Sequence, residues 1–353
     1  MVQVALVRVR AKLPRPASDA RRRWLDREAI ALAVSDGTSV GRAEAGPLPH
    51  VSGETLEHAE RALHAIPWAQ LDVDSEDPLT LAARLVPEDI PSARFAVEAA
   101  LLDLAGRARG ISVATMLAEK SPAGAIATAA LVDDLETAVA RARIALAAGA
   151  GAVKVKIGRE GMVREECAML RSLRRELGDG VRIRADANGT LADLDDPRIA
   201  VLADIGCELL EEPCPIEILL GHAALPVPVG LDESLAHDPV RALRLLELGR
   251  ASAVVLKPSL LGGIGRSLAI AEGARRRGAR AIVSHLYDAP RSFAACAHLA
   301  LALGPTPGGE PEVHGLARYA GLDQWIDESS SVIGVPRLVG AYRVEQPDVG
   351  GLG

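Results

Sequence analysis

Three carboxylates come directly after three successive apolar runs in the middle of the chain. They are Asp186, Glu211 and Asp232, and each run predicts a buried strand. Consecutive parallel strands present their carboxyl ends at the same edge of a sheet, so these side chains should lie close together. Three carboxylate oxygens suit a hard divalent cation. We expect Mg²⁺ at this site, with Mn²⁺ able to substitute.

Lysines flank this carboxylate set on both sides. Lys154 and Lys156 alternate with valines in one run, and Lys257 ends another. Alternation points both lysines of the first run the same way, which in a barrel is inward, whereas a one-residue slip would put them at a solvated rim. Burial and a neighbouring cation would keep a lysine partly neutral and able to act as a base. This pattern predicts proton abstraction beside a metal-bound carboxylate, through an enediolate that the metal stabilises.

Further polar residues share the predicted edge. By strand parity, Arg184 and Asn188 face the same way as Asp186, and Ser284 ends a later strand. We expect Arg184, Asn188 and Ser284 to contact the substrate. His285 is equally compatible with a pocket group and with a packed core or rim histidine.

The elements that would position these residues repeat from about residue 124 onward. Short apolar runs alternate there with amphipathic helical stretches, which predicts a parallel sheet covered by helices. Seven or eight such units in about 200 residues favour a closed barrel over an open sheet. The fold class is therefore α/β, a modified (β/α)7β TIM barrel over residues 111–324 that carries the active site. The runs are 125–132, 152–157, 181–185, 208–210, 227–231, 253–256 and 281–283, with a weaker one at 313–315.

An α+β capping domain is predicted over residues 1–110, completed by the C-terminal tail at about 325–353. The polar stretch 12–24 predicts a loop. Its Arg21-Arg22-Arg23 run would attract a dicarboxylate or would simply form solvated surface. Strands are expected over 2–10, 28–35 and 39–44, and helices near 53–65 and 91–107.

Composition excludes several classes of protein. The 353 residues carry 40 Lys plus Arg against 47 Asp plus Glu, and 49% are apolar, so the chain is neither disordered nor basic. We expect a small-molecule carboxylate as substrate, with no nucleic acid or membrane partner, in a monomer or homo-oligomer. Four cysteines without a CxxC pair, and the lack of a signal-like or spanning apolar segment, predict a cytoplasmic protein.

Six segments resemble the muconate-lactonising branch of the enolase superfamily, and within it the o-succinylbenzoate synthases. The resemblance covers nearly the whole chain, and it implies the barrel and capping domain described above. The segments are KVKIG at 154–158, DANG at 186–189, LEEPC at 210–214, LDESL at 231–235, VLKPSLLGG at 255–263 and GRAEAGPLPHVSGETL at 41–56.

The resemblance also implies roles for individual residues. Asp186, Glu211 and Asp232 match the metal ligands of that family. Glu212 and Glu233, the second acid of each pair, have the wrong parity for the same inward role.

The lysines match the family's acid–base residues. Lys156 matches the base, Lys257 the partner lysine across the site, and Lys154 would tune the pKa of Lys156. The implied reaction is dehydration of a cyclohexadiene carboxylate to o-succinylbenzoate, a step of menaquinone biosynthesis, which makes the protein a lyase. The stretch 12–24 resembles the mobile cap that closes over the substrate in that family.

Three other functions remain open on the sequence alone. An N-succinylamino acid racemase or dipeptide epimerase would use the same two lysines as acid–base partners. A metal-free barrel could form a Schiff base on Lys156 or Lys257. A binding module that keeps the fold is disfavoured, because it would have no reason to retain buried charges that cost stability.

Overall fold

The computed structural model describes residues 1–18, 22–319, 342–346 and 350–352. In these ranges the strands are β1 (Gln3–Ser18), β2 (Arg23–Ser35), β3 (Val40–Ala45), β4 (Ala125–Val132), β5 (Ala152–Lys156), β6 (Ile183–Asp186), β7 (Leu209–Glu211), β8 (Val229–Leu231), β9 (Ala253–Leu256), β10 (Arg280–Val283), β11 (Val313–His314) and β12 (Arg343–Glu345).

The helices of the same ranges lie between these strands, together with a short 3₁₀ helix at Trp68–Gln70. They are α1 (Leu56–Ala65), α2 (Pro78–Leu85), α3 (Pro91–Arg109), α4 (Val113–Leu117), α5 (Ala138–Ala147), α6 (Val163–Leu177), α7 (Pro197–Asp204), α8 (Ile216–Gly221), α9 (Glu233–His237), α10 (Pro239–Glu247), α11 (Pro258–Leu261), α12 (Ile264–Arg275) and α13 (Pro290–Leu303). No helix in the described ranges is long and apolar enough to cross a membrane.

The central sheet is a nearly closed barrel of eight parallel strands. Its order is β4-β5-β6-β7-β8-β9-β10 with β11 beside β4. A bridge between Ser284 and Gly315, just beyond β10 and β11, brings the two ends of the sheet together. The strands are buried on both faces, as the apolar runs indicated, because side chains fill the interior and helices cover the outside. The predicted barrel is confirmed.

A capping unit, formed by β1–β3 and α1–α3, lies beside the barrel. Its three strands form an antiparallel sheet in the order β1-β2-β3. Helix α3 begins with Pro91 and ends at Gly110, whose φ of +66° is the left-handed geometry that favours glycine as a helix stop. One apolar core runs from α3 into α13 of the barrel and includes Phe95 and Phe293.

The predicted loop at residues 12–24 is wrong over the part that the structure describes. β1 continues to Ser18 and β2 already begins at Arg23, so this stretch forms the far end of a long hairpin. The register shifts between Lys12 and Ala17, and pairing resumes with Ala17 opposite Trp24. These strand ends could not be predicted from the sequence, because exposed arginines and prolines interrupt the alternation of apolar and polar residues. Arg21 lies outside the described residues.

The C-terminal tail divides between the two parts of the molecule. Arg343–Glu345 pair antiparallel with β4 of the barrel. Residues 350–352 lie against α3, where the backbone N–H of Leu352 donates to Asp103 Oδ1 at 2.8 Å. Residues 325–341 lie outside the described part, so the boundaries at 110 and 324 stay predictions.

Candidate active site

The strand register aligns one base candidate with two carboxylates. Lys156 on β5 lies opposite Asp186 on β6, and Asp186 lies opposite Glu211 on β7. Asp232 follows the next strand, β8. Lys257 comes directly after β9, which is four places from β5 in the eight-stranded order. The two lysines therefore face each other across the mouth of the barrel, with the carboxylates on the strands between them.

Asp186, Glu211 and Asp232 form a buried carboxylate triad. One oxygen from each lies within 4.8 Å of the others. Asp232 Oδ1 is buried and has no hydrogen-bond partner among the described residues. Burial and the neighbouring Glu233 carboxylate raise the pKa of Asp232. Three anionic oxygens this close together repel one another, and one of them has no hydrogen-bond partner among the described residues. A hard divalent cation would compensate this negative charge.

Lys154 is the counter-ion of this triad in the structure. Its Nζ lies 3.0 Å from Asp186 Oδ2 and also contacts Glu211 Oε2. Burial acts against its charged form, but Asp186 and Glu211 outweigh burial and raise the pKa of Lys154. Lys154 therefore keeps its proton, and it supplies the fixed positive charge beside Lys156 that the sequence suggested.

Lys156 has the opposite electrostatic setting. Its Nζ donates to Asn188 Oδ1 at 3.1 Å, and its nearest carboxylate oxygen, on Asp186, is 3.9 Å away. Burial lowers the pKa of Lys156, with Lys154 and Lys257 adding to the effect and Asp186 opposing it. A lysine that releases its proton more easily than usual is suited to remove a proton from a substrate carbon.

Lys257 is held as a cation on the other side of the pocket. Its Nζ donates to Asp232 Oδ2 at 2.6 Å and lies 3.7 Å from Glu233 Oε1. Burial opposes its charge, but Asp232 and Glu233 prevail and raise the pKa of Lys257. The two facing lysines thus differ in proton affinity, in the direction that the family resemblance implied for a base at Lys156.

The structure brings two of the three predicted substrate-contact residues to the pocket. Asn188 and Ser284 line it, whereas Arg184 does not. Arg184 faces inward as predicted but sits two residues lower on β6, about 6.6 Å from the level of Asp186. There it donates to Glu208 Oε2 at 2.6 Å and to Glu312 Oε1 at 3.1 Å. Arg184 therefore belongs to the floor of the barrel.

Strand parity also misplaced one member of the two acid pairs. Glu233 lines the pocket. Strand β8 has already ended and Glu233 is the first residue of helix α9, so the alternation of a strand no longer applies to it. Glu212 points away from the pocket and accepts hydrogen bonds from Asp232 N at 2.7 Å and Ser234 Oγ at 3.0 Å. Burial and the Glu233 carboxylate raise the pKa of Glu212 to about 7. Its role is to hold the backbone that carries Asp232.

The upper wall of the pocket is apolar. Trp24 from the β1–β2 hairpin, together with Leu48 and Val51, faces the strand ends. Trp24 Nε1 donates to the Pro49 carbonyl at 3.2 Å, and Arg22 Nη1 donates to the His50 carbonyl at 2.7 Å. The hairpin therefore covers the pocket mouth as a strand pair, and Arg22 contacts protein backbone.

Sequence reasoning left His285 undecided and missed its aromatic neighbours. His285, Tyr287 and Tyr319 all line the pocket. His285 stacks on Tyr319 with ring centroids 5.2 Å apart. No pattern in the sequence indicated this cluster, in which three of the chain's eight Trp, Tyr and Phe rings contact one histidine.

Comparisons with known proteins agree with this geometry. The family described as Enolase C-terminal domain-like matches residues 137–341. The o-succinylbenzoate synthase of Aliivibrio fischeri (strain ATCC 700601 / ES114) is 25% identical over 79% of this chain and 80% of its own length. The L-Ala-D/L-Glu epimerase of Bacillus subtilis (strain 168) is 26% identical over 85% of this chain and 84% of its own length. The solved dipeptide epimerase from Methylococcus capsulatus, complexed with Mg and the dipeptide L-Arg-D-Lys, has a TM-score of 0.81 and 25% identity, covering 99% of this chain and 98% of that one.

Proposed function

The chain belongs to the enolase superfamily, and from that premise we propose that it is an o-succinylbenzoate synthase. In this reaction a cyclohexadiene carboxylate loses the proton next to its carboxylate and then a hydroxide, which leaves as water. The ring becomes aromatic. The proposed enzyme is a lyase that uses Mg²⁺, and its product, o-succinylbenzoate, belongs to menaquinone biosynthesis.

The facing lysines above the carboxylate triad carry this proposal. Lys156 and Lys257 stand four strands apart in the barrel, and the triad occupies the strands between them. A carboxylate substrate directed at the triad would place its α-carbon between the two Nζ atoms. Mg²⁺ held by Asp186, Glu211 and Asp232 would supply positive charge next to the substrate carboxylate, where negative charge develops as the proton leaves.

Lys156 performs both proton transfers in the proposed mechanism. Its neutral Nζ takes the proton from the α-carbon, and the electron pair of the broken C–H bond is delocalised onto the adjacent carboxylate. The protonated Nζ then gives that proton to the departing hydroxyl on the same face, so the C–O bond breaks and water is released. Lys257 keeps its proton and stabilises the developing negative charge from the opposite face.

The apolar upper wall of the pocket favours a substrate that contains a hydrocarbon ring. Trp24, Leu48 and Val51 offer contact area to an uncharged hydrocarbon ring. Sequence similarity to an o-succinylbenzoate synthase over about four-fifths of both chains also supports the proposal.

A racemase or epimerase of acylated amino acids or dipeptides is the second candidate. The position of Lys257 opposite Lys156 favours it, because two lysines on opposite faces of one carbon could remove a proton from one side and return it on the other. The similarity to a Bacillus subtilis epimerase at 26% identity supports it too.

The test is a spectrophotometric assay of the cyclohexadiene precursor with Mg²⁺ and, in parallel, with EDTA. We expect rapid aromatisation that requires Mg²⁺. No reaction from folded, Mg²⁺-loaded protein would reject the synthase. A D₂O exchange screen of N-succinylamino acids and dipeptides separates the second candidate, since a racemase incorporates deuterium at the α-carbon without forming an aromatic product.

A further inference from the structure

The pocket wall opposite the carboxylate triad is built differently from the rest of the site. β10 lies four places from β6 in the barrel order, so residues that follow β10 face Asp186 across the mouth. Ser284 and His285 come directly after β10 and line the pocket. A substrate whose carboxylate is directed at the triad, with its α-carbon between the two lysines, extends its remaining atoms toward this wall.

His285 is held rigidly on that wall. Its ring stacks on Tyr319 at 5.2 Å and meets the edges of Phe293 at 5.0 Å and Tyr287 at 5.7 Å. The backbone N–H of Tyr287 donates to His285 Nδ1 at 2.9 Å. A nitrogen that accepts a hydrogen bond carries no proton in the neutral ring, so the proton of His285 is on Nε2.

The backbone around His285 is equally fixed. Tyr287 has a φ of +54°, an uncommon conformation for a tyrosine. The buried Arg27 guanidinium donates to the Tyr287 carbonyl at 3.3 Å. Asp288 Oδ2 accepts from the Leu286 N–H at 3.1 Å. This segment therefore has contacts that set the direction of the imidazole in advance of any ligand.

The remaining nitrogen of His285 is not engaged by the described part of the chain. Nε2 makes no hydrogen bond to the described residues, and it is accessible from the cavity, in contrast to the buried and unpartnered Nε2 of His298. Burial, with Lys257 and Lys154 nearby, lowers the pKa of His285 to about 3, so the ring is neutral at physiological pH. Nε2–H is thus a preset donor without an acceptor in the part of the chain that the structure describes.

The surroundings of this donor select one kind of ligand atom. Among described residues, the pocket carboxylates belong to Asp186, at the end of β6, and Glu233, at the start of helix α9, both on the triad side. The wall with His285 has hydroxyl, imidazole and apolar groups. It can donate to an oxygen acceptor, whereas none of the described lining residues on this wall offers a carboxylate to a free ammonium group.

We propose that His285 is a specificity-determining residue whose Nε2–H donates to an oxygen of the substrate substituent beyond the reacting carbon. The ligand class is a carboxylate that carries a carbonyl or a second carboxylate on that substituent, such as a keto acid or an N-acyl amino acid. Carboxylates with a free ammonium at this position are excluded. The inference rests on the proposed function for the direction in which the substrate lies, and it applies to both candidate reactions.

The test measures binding of three probes to Mg²⁺-loaded protein by isothermal titration calorimetry. The first is o-succinylbenzoate. The second replaces its keto group by a methylene, as in 2-(3-carboxypropyl)benzoate, and the third lacks its distal carboxylate, as in 2-butanoylbenzoate. The variant His285→Phe keeps an aromatic ring but removes the donor, and His285→Gln keeps an N–H donor.

We expect His285→Phe to bind o-succinylbenzoate about tenfold more weakly than the wild type. That loss should shrink to less than about twofold for whichever probe lacks the accepting oxygen, because the hydrogen bond is then absent in both proteins. His285→Gln should retain most of the wild-type affinity. In the D₂O exchange screen, N-acyl amino acids should exchange their α-proton faster than dipeptides that have a free amine.

Three results would overturn the inference. Equal losses for all three probes in both variants would show that His285 only packs the pocket. Failure of every probe to bind the wild type would show that the wall does not take such an acceptor. Free-amine dipeptides exchanging as fast as N-acyl amino acids would remove the exclusion. The aromatisation assay is independent of these readouts. If synthase activity is absent but the loss of affinity in His285→Phe still depends on the accepting oxygen of the probe, the proposed reaction is rejected and the role of His285 is kept.

Discussion

Lys156 and Lys257 carry the same side chain and differ in what surrounds them. Lys257 donates to the Asp232 carboxylate at 2.6 Å, whereas Lys156 donates to the uncharged amide oxygen of Asn188. An anion stabilises the ammonium form, and an amide does so much less, so the lysine beside the amide releases its proton more easily. Burial and the nearby Lys154 and Lys257 lower the pKa of Lys156 further, whereas Glu233 adds to Asp232 in raising that of Lys257, so the proposed roles of base and cation follow from the surroundings of each lysine.

Replacing Lys156 by alanine should remove the base and leave the metal ligands in place. We expect turnover to fall by about 10³-fold or more, with Mg²⁺ affinity close to that of the wild type. Steady-state kinetics and a calorimetric Mg²⁺ titration measure the two quantities. Substantial residual turnover would assign the proton transfer to another group.

Asp232 offers the clearest test of the metal site, because its Oδ1 is buried without a partner among the described residues. Asp232→Asn removes a negative charge from the triad and should weaken Mg²⁺ binding by about tenfold or more. Glu233→Gln is the matched control, since Glu233 is the adjacent acid and lies outside the triad. Equal Mg²⁺ affinities in the two variants would remove Asp232 from the ligand set.

Much of the site could be predicted from the sequence at the residue scale, but not all of it. Parity along a strand correctly gives the face to which Lys154, Lys156 and Arg184 point, because that depends only on alternation. Parity says nothing about depth, which is why Arg184 lies on the floor of the barrel. It also fails where a strand ends, which is why Glu233 reaches the pocket.

At the scale of elements, the turns after the barrel strands determine where the catalytic groups lie. Gly158 follows β5 with a φ of +91°, and a Cβ there would meet Thr190 Oγ1 at 1.9 Å. Thr190 Oγ1 in turn donates to the Ala187 carbonyl at 2.6 Å. The end of β5 and the turn after β6, which carry Lys156 and Asn188, are therefore packed against each other.

Gly158→Ala should disturb both turns at once. Gly161→Ala is the matched control, because Gly161 also has a positive φ, +72°, but no atom lies within 4 Å of its would-be Cβ. Both variants should lose about 1–2 kcal/mol from left-handed backbone strain. Gly158→Ala should lose about 1–3 kcal/mol more and also lower kcat. Thermal denaturation and kinetics test this, and equal effects of the two substitutions would contradict it.

The barrel strands were predictable because each is a short apolar run buried on both faces, a pattern that few other elements share. The β1–β2 hairpin was not, because one side of its outer half faces solvent and tolerates arginine and proline. What places Trp24 over the pocket is its pairing with Ala17 across the hairpin, a register that the alternation of apolar residues did not reveal.

At the scale of the whole molecule, buried glutamates of the capping unit accept hydrogen bonds from helix N-termini. Glu98 accepts from Ile264 N and Gly265 N at the start of α12, and Glu44 accepts from Ser292 N near the start of α13. Burial raises the pKa of each to about 7. Both helices belong to the barrel, so these carboxyls fasten the capping unit to it.

Glu54 shows the same effect within the capping unit and gives a clean measurement. Its Oε1 accepts from Ser92 N at 2.5 Å, Oε2 has no partner among the described residues, and burial raises its pKa from 4.5 to about 7. The folded state thus binds the proton more tightly than the unfolded state. Stability from this group is complete below pH 4.5 and is lost as the pH rises through 7, by up to about 3 kcal/mol.

Glu54→Gln should remove that dependence. Relative to the wild type, the variant should gain stability between pH 5 and pH 8, as measured by denaturant unfolding at both values. Parallel pH profiles for the two proteins would show that Glu54 does not titrate in this interval.

The charged floor of the barrel has a kinetic consequence. Arg184 and Arg280 share Glu208 and Glu312, and these four side chains form a hydrogen-bonded network across the end opposite the pocket. Substrate and product must then use the same upper opening beneath the hairpin. A retained product molecule would occupy the place of the next substrate, so we expect accumulated product to inhibit competitively and sustained flux to depend on a following enzyme that consumes it.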